Sequence, residues 1–167
     1  MDFVQFLQTL ANNPVDYSII LFVYALLAAL ILPIPVELVL LIPTPIGILG
    51  TAIVLGLGKA TGAMLVFFLG VKVEKSIRMW SSNFKWIGKF VDLLEKFVAK
   101  TQYIGLYILL SIPLMPDTIT IYFFSLFNKD EIMKPSYFAV TNFCAGVNRA
   151  MIVYALASLA GITLVSG

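Results

Sequence analysis

Four ionisable side chains, Glu37, Lys59, Asp117 and Arg149, fall inside long apolar stretches, two acids and two bases whose charges cancel. On insertion scales each costs roughly 2.5 to 3.5 kcal/mol at the centre of a hydrocarbon core, so such a set has to be paired or hydrated. One chemistry that suits it is recognition of an anionic group combined with proton movement. Arg149 presents a planar fork that matches a phosphate in two hydrogen bonds, and a helix that starts after a proline adds backbone donors. Glu37 or Asp117 could carry a proton between two faces. Asn142, Asn148, Thr118 and Thr120 offer neutral contacts to a substrate, or equally hydrogen bonds between helices. A structural reading stands beside this one, in which the charges fix one element against another and Lys59 snorkels to an interface.

Other chemistry is poorly served. The chain has no histidine and a single cysteine, Cys144, in an apolar segment, which excludes a disulfide framework and a Cys/His metal site. No nucleophile and base stand in a catalytic arrangement, so neither an enzyme nor a bound cofactor or metal is expected.

Composition says where these residues must sit. Of 167 residues, 60% are hydrophobic and 12% charged, against about 25% charged in a soluble domain. Mean hydropathy is +0.99. Residues 17–36 and 38–58 carry no charge, and residues 135–167 carry only Arg149. Each run can cross a hydrocarbon core of about 30 Å, and a multi-pass plasma-membrane protein is expected. The N-terminal MDFVQFLQTLANNP lacks the basic region and small-residue cleavage site of a signal peptide, so the first apolar run is expected to be retained, after an interfacial helix over residues 3–10. Seven of the eleven Lys and Arg residues lie between 72 and 100. That basic loop reads as cytoplasmic, with the N-terminus inside and the C-terminus outside. Membrane lipids are the expected partners, with anionic headgroups over the 72–100 stretch and a second copy in a homodimer; nucleic acid is not expected.

The elements that must position the four charges follow from prolines and spacing. A hydrophobic helix over about 17–32 stops at Pro33 and Pro35, which remove amide donors and push their predecessors out of the helical region. Pro43 and Pro45 then fold residues 33–50 into a re-entrant hairpin that carries Glu37, tolerable at that depth only if buried by protein or lining a wet cavity. A second spanning helix, 50–71, holds Gly58 and Gly62 in a GxxxG that permits close helix contact. In the basic loop, Trp86, Phe90, Leu93 and Phe97 recur at helical spacing with Lys85, Lys89, Asp92 and Lys96 one residue earlier, predicting an amphipathic surface helix over 84–98. Residues 103–127 repeat the hairpin theme around Pro113, Pro116 and Asp117. The polar turn 128–131 and Lys134 lead to a last helix over 136–165, either one tilted helix or one broken near Gly146.

The halves, about 17–71 and 84–165, resemble each other: a proline-bracketed acid (PIPVE, PLMPD), then a helix with a glycine and a buried cation (GKATG, GVNR). With residues 72–100 inside, the first hairpin opens outward and the second inward. This predicts a single all-α membrane domain built as an inverted repeat, a plan whose sites lie at the repeat interface near the midplane.

In order and spacing, the PxPxE of PIPVE, the glycine-rich GLGKATGAMLVFFLG, the run LLEKFVAKTQYIGLYILL into SIPLMPD, and FAVTNFCAGVNR resemble the DedA or VTT-domain (SNARE-associated) membrane proteins over most of residues 25–155. The resemblance implies two facing re-entrant hairpins and activity as a lipid scramblase, or as a flippase returning polyprenyl-phosphate carriers, often linked to the proton gradient. Glu37 then matches the family's hairpin acid, and Arg149 the basic residue of its late helix. Ala63 stands where an acid often follows the second glycine of the glycine-rich motif, and Phe67 where a tyrosine is common. The arginines around the second hairpin proline are absent, with Asp117 in their neighbourhood. These departures look like those of shorter, divergent members. A proton-coupled transporter of small ions or cationic solutes, and a membrane assembly protein, are the alternatives.

Overall fold

The structure is a computed structural model describing residues 13–31, 40, 44–81, 85–128 and 132–160; side chains at 71–88 and 90 fall outside the described set. The described residues form five helices and no strand: α1 Pro14–Leu30, α2 Gly47–Ser81, α3 Lys85–Ser111, α4 Asp117–Leu126 and α5 Pro135–Leu159. The expected interfacial helix 3–10, the polar residues 129–131 and most of the first hairpin, with Pro33, Pro35, Glu37 and Pro43, lie outside the described residues.

Local chemistry accounts for the helix ends. Asn13 caps α1, accepting from the Val15 amide at 3.1 Å and donating to Asp16 at 2.8 Å. Pro14 occupies the first turn, where its missing N–H has no bond to lose, and Asp16 complements the positive helix end. α1 stops at Leu30 with Ile31 as its cap, two residues short of the expected end at 32. Gly47, at φ +70°, starts α2 from a left-handed conformation that suits glycine. The stretch 72–81, expected as the start of a loop, instead continues α2 to 35 residues, because nothing between Gly70 and Ser81 breaks a helix. α3 contains a sharp break at Gln102, φ 42° and ψ −132°, which separates the expected amphipathic helix from the first arm of the second hairpin. α5 runs through Gly146 without a break.

α2 is the central strut and packs most extensively against α5 and α1. Its GxxxG works inside the molecule. A Cβ on Gly58 would sit 2.5 Å from the Phe22 carbonyl oxygen, and one on Gly62 2.7 Å from that of Leu26, so α1 and α2 touch backbone to side-chain-free backbone. Residues 103–126 form a helical hairpin whose turn, 112–116, contains Pro113 and Pro116. Leu114 in that turn adopts φ 64°, an uncommon conformation for a residue with a Cβ.

Two apolar cores result. The first joins Tyr17, Leu21 and Ala25 of α1 to Ala52 and Leu55 of α2, Ala150, Val153 and Tyr154 of α5, and Leu40. The second joins Ala29 to Ala63, Val66 and Phe67, to the hairpin's Leu106, Leu110, Ile121 and Phe124, and to Phe138 and Ala145. Outside them, large apolar side chains face outward, most regularly Val15, Ile19, Val23, Leu27 and Ile31 at four-residue spacing on α1. Among the described residues one stretch, Gly47–Gly70, is long and apolar enough by itself to cross a membrane; α1 is apolar but 17 residues long.

Candidate functional site

Between the two cores lies a layer of charge. On α2, Lys59 falls between Leu55 of the first core and Ala63 of the second; on α5, Arg149 falls between Ala150 and Ala145. The hairpin turn brings in the acid, because Asp117 is the first residue of α4, directly after Pro116. One Asp117 carboxylate oxygen accepts from Lys59 Nζ at 2.7 Å and the other from an Arg149 guanidinium nitrogen at 2.6 Å. All three are enclosed, with residue exposures of 4% for Lys59, 6% for Asp117 and 2% for Arg149. Three of the four charges singled out in the sequence therefore meet at one point, and Glu37 lies outside the described residues.

The fold has specific means of letting them meet. A Cβ on Gly146 would lie 3.2 Å from Cδ of Lys59 and 3.3 Å from Cα of Gly56, so this glycine lets the lysine stem cross between α2 and α5 toward the hairpin. The N-terminal end of α4 adds a favourable dipole to the carboxylate that begins it. The hairpin is pinned where α1 leaves its last carbonyls without helical partners. Thr118 donates to the Ala28 carbonyl at 2.7 Å and Tyr122 to that of Leu30 at 3.1 Å.

The neutral candidates divide. Thr118 makes the interhelical bond just described. Thr120 and Asn142 are buried but donate within their own helical surroundings, to the carbonyls of Pro116 at 3.4 Å and Phe138 at 2.8 Å. Asn148 is half-buried, with no hydrogen bond joining it to the charged layer among the described residues. Pro45, Pro113 and Pro116 stand at turns or helix starts as breakers should.

Other polar residues have roles that the sequence did not announce. Tyr122 reads as one aromatic in an apolar run. Asn128, expected in an exposed polar turn, is buried and clasps Met133 from both sides, donating to its carbonyl at 2.9 Å and accepting from its amide at 2.8 Å. Glu95 is buried on the amphipathic helix beside Val91 and Val98, whereas Leu93 and Phe97 of the expected apolar row are 62% and 46% exposed. The hydroxyls of Tyr17 and Ser111 are buried without a hydrogen-bond partner among the described residues. No three acids or cysteines cluster as a metal site among the described residues.

Compared with protein-family models, curated proteins and solved structures, the chain matches none.

Proposed function

We propose that this chain is a multi-pass membrane transporter of the DedA or VTT type that moves a lipid phosphate between leaflets together with protons. The observation that carries this reading is the enclosed Lys59–Asp117–Arg149 layer, in which one carboxylate holds two cations. A proton delivered to Asp117 removes its own charge from the layer, and a phosphate can then take the place of that carboxylate on Arg149 and Lys59. Proton and phosphate thus occupy the layer together or leave it together, while Asp117 closes it when both are gone. A cationic solute is less well served, because both oxygens of Asp117 already face cations.

Three further features support the membrane setting. Soluble monomers rarely expose apolar patches as large as the outward rows on α1 and α2, whereas lipid accepts them. Lys59 stands 12 residues from Gly47 and 11 from Gly70, about 17 Å from either end of that stretch at 1.5 Å per residue, near the midplane if the stretch spans. The second hairpin also contributes to one core and Leu40, from the first proline-bracketed segment, to the other, as two facing re-entrant hairpins would. Residues 72–100 on this reading face the cytoplasm, and Glu37 is the acid of the outward-opening hairpin.

The test is lipid movement in liposomes. Wild-type protein is expected to move a fluorescent phospholipid between leaflets faster when a proton gradient is imposed. Asp117→Asn and Arg149→Lys should each lower that rate by about tenfold or more, the scale of losing one well-placed charge contact. A second reading, that the layer only clamps the helices, is favoured by its complete enclosure. It predicts that an all-apolar replacement of the three residues keeps whatever flux the wild type has, and that result would end the transport proposal.

A further inference from the structure

A groove of about 270 Å³ runs along the outer surface between the second segment of α3 and the first half of α5. Tyr103, Ile104, Tyr107, Val140, Thr141 and Cys144 line it. Its two ends differ. At one, the Tyr103 hydroxyl accepts from the Lys134 amide at 2.6 Å, and the Tyr103 ring meets that of Tyr137 edge to face at 5.9 Å. Exposed Lys134, whose amide makes that bond, stands at this end, and exposed Lys100 lies three residues before Tyr103 in the chain, across the break at Gln102. Away from it the lining becomes apolar toward Tyr107 and Cys144. Thr141 donates to the Tyr137 carbonyl at 2.8 Å, so its hydroxyl proton is already used within the helix. The walls, Ile104 at 73% exposure and Val140 at 58%, belong to the same outward apolar surface as the rest of the molecule.

We propose that this groove seats one acyl chain of an anionic phospholipid, with its phosphate held by Lys100 and Lys134. The proposal rests on the membrane setting argued above, but not on transport. From Tyr137 to Cys144 the groove covers about 10 Å of helix, a length over which an extended chain can lie. Tyrosines beside lysines are the side chains that mark the headgroup level of a bilayer, and they occur at one end only. A protein occupant fits worse. A helix is 10 to 12 Å across with its side chains, too wide for a space of this size, and an extended segment would leave its backbone groups facing helices whose own are already bonded. Among the described residues no acid lines the groove, whereas Asp92 and Glu95 line a separate notch with Lys96, Ala99 and Ile132.

Cys144, the one cysteine of the chain and exposed in the groove, supplies the probe. The full chain is purified in a neutral maltoside detergent and titrated with phosphatidylglycerol or with phosphatidylcholine of the same chain length. The rate of maleimide attachment at Cys144 and the lipid retained in native mass spectrometry are both read. Phosphatidylglycerol is expected to leave one retained molecule per chain and to slow labelling at concentrations where phosphatidylcholine does not. Lys100→Glu with Lys134→Glu should raise the half-protecting concentration about 30-fold, at the usual worth of two lysines near anionic lipid. Val140→Trp, at an exposed position, should abolish the retained lipid while leaving the unfolding temperature unchanged. Equal protection by the two lipids, or retention unaffected by these variants, would overturn the proposal. So would protection that follows protein rather than lipid concentration, which would assign the groove to a second copy. Because nothing here reads flux, a failed transport assay leaves the groove standing, and an empty groove leaves transport standing. The membrane setting is checked before any lipid is added, by whether the expressed chain resists alkaline extraction from membranes.

Discussion

Replacing Asp117 by asparagine keeps the volume of the side chain and removes the carboxylate that bridges Lys59 and Arg149. Each ion pair, at 2.7 and 2.6 Å, is worth on the order of 6 kcal/mol of gross attraction at the effective dielectric of such sites. Desolvation already offsets much of that in the native protein, so the net cost is the one found when a single partner of a buried pair is removed, about 3 to 5 kcal/mol. For a chain of this size that lowers the midpoint of thermal unfolding by about 6 to 20 °C. The opposite outcome is expected of Lys59→Met, Asp117→Leu and Arg149→Met combined. With the three charges removed together and similar volumes in place, the layer merges into the apolar cores on either side, and stability should match the wild type or exceed it by about 1 to 4 kcal/mol. Trp80 and Trp86 report unfolding by intrinsic fluorescence in detergent, and lipid movement is measured on the same preparations. Asp117→Asn should lose both stability and flux, and the triple variant flux alone. An Asp117→Asn protein melting within about 2 °C of wild type would refute the enclosed ion pairs, and a triple variant as damaged as the single one would refute the reasoning from desolvation.

Four further substitutions test how the layer is positioned. Gly62→Ala places a Cβ where the Leu26 carbonyl oxygen would be 2.7 Å away, so α1 and α2 must part, at about 1 to 3 kcal/mol in the same unfolding assay. Thr118→Val and Tyr122→Phe each remove a donor from the end of α1 and should cost about 1 kcal/mol singly, with a double variant close to their sum unless the two bonds act as one latch. Leu114→Gly relieves the left-handed residue of the hairpin turn and should stabilise the protein by up to about 1 kcal/mol; a loss of stability would mean that the leucine side chain contributes more than its backbone strain costs.

The sequence made the charged layer legible because charge inside an apolar run has so few causes. Lys59, Asp117 and Arg149 stand out by type alone, and the prolines before Asp117 announce the turn that delivers it. The close approach of α1 and α2 was equally readable, since the Gly58–Gly62 spacing has a direct geometric meaning. What stayed hidden were contacts made by residues with ordinary reasons to be present. Tyr122 fits an apolar hairpin arm whether or not its hydroxyl reaches Leu30. Asn128 belongs in a turn whether it faces solvent or clasps Met133. The amphipathic helix was found, but its inward row Val91, Glu95 and Val98 was not, because Leu93 and Phe97 are the stronger apolar signal and face outward. A rule that places apolar residues inside fails where the outside is itself apolar, so on such a chain the informative pattern is small and polar residues inward. The extension of α2 through residues 72–81 is hidden for a different reason: the charge density there suggests a loop, although no residue interrupts the helix.

The packing also constrains how the layer could open. α1 and α2 meet through glycines whose backbones touch, and α2 and α5 approach closely, though less so, at Gly56 and Gly146, so parting either pair would separate surfaces that fit only in one register. The hairpin arm α4 is held differently. Apart from its apolar contacts in the second core, it joins α1 through the hydroxyls of Thr118 and Tyr122, each bond worth about 1 kcal/mol, and joins α2 and α5 through the carboxylate of Asp117. Neutralising that carboxylate removes the strongest of these attachments at the point where the hairpin turn reaches the layer. A proton on Asp117 would therefore weaken its hold on the two cations and loosen the element that covers them in a single event. The same reasoning separates Asp117→Asn from Thr118→Val: the first should make the layer reachable by water-borne reagents from the hairpin side, and the second should lower stability while leaving the layer closed.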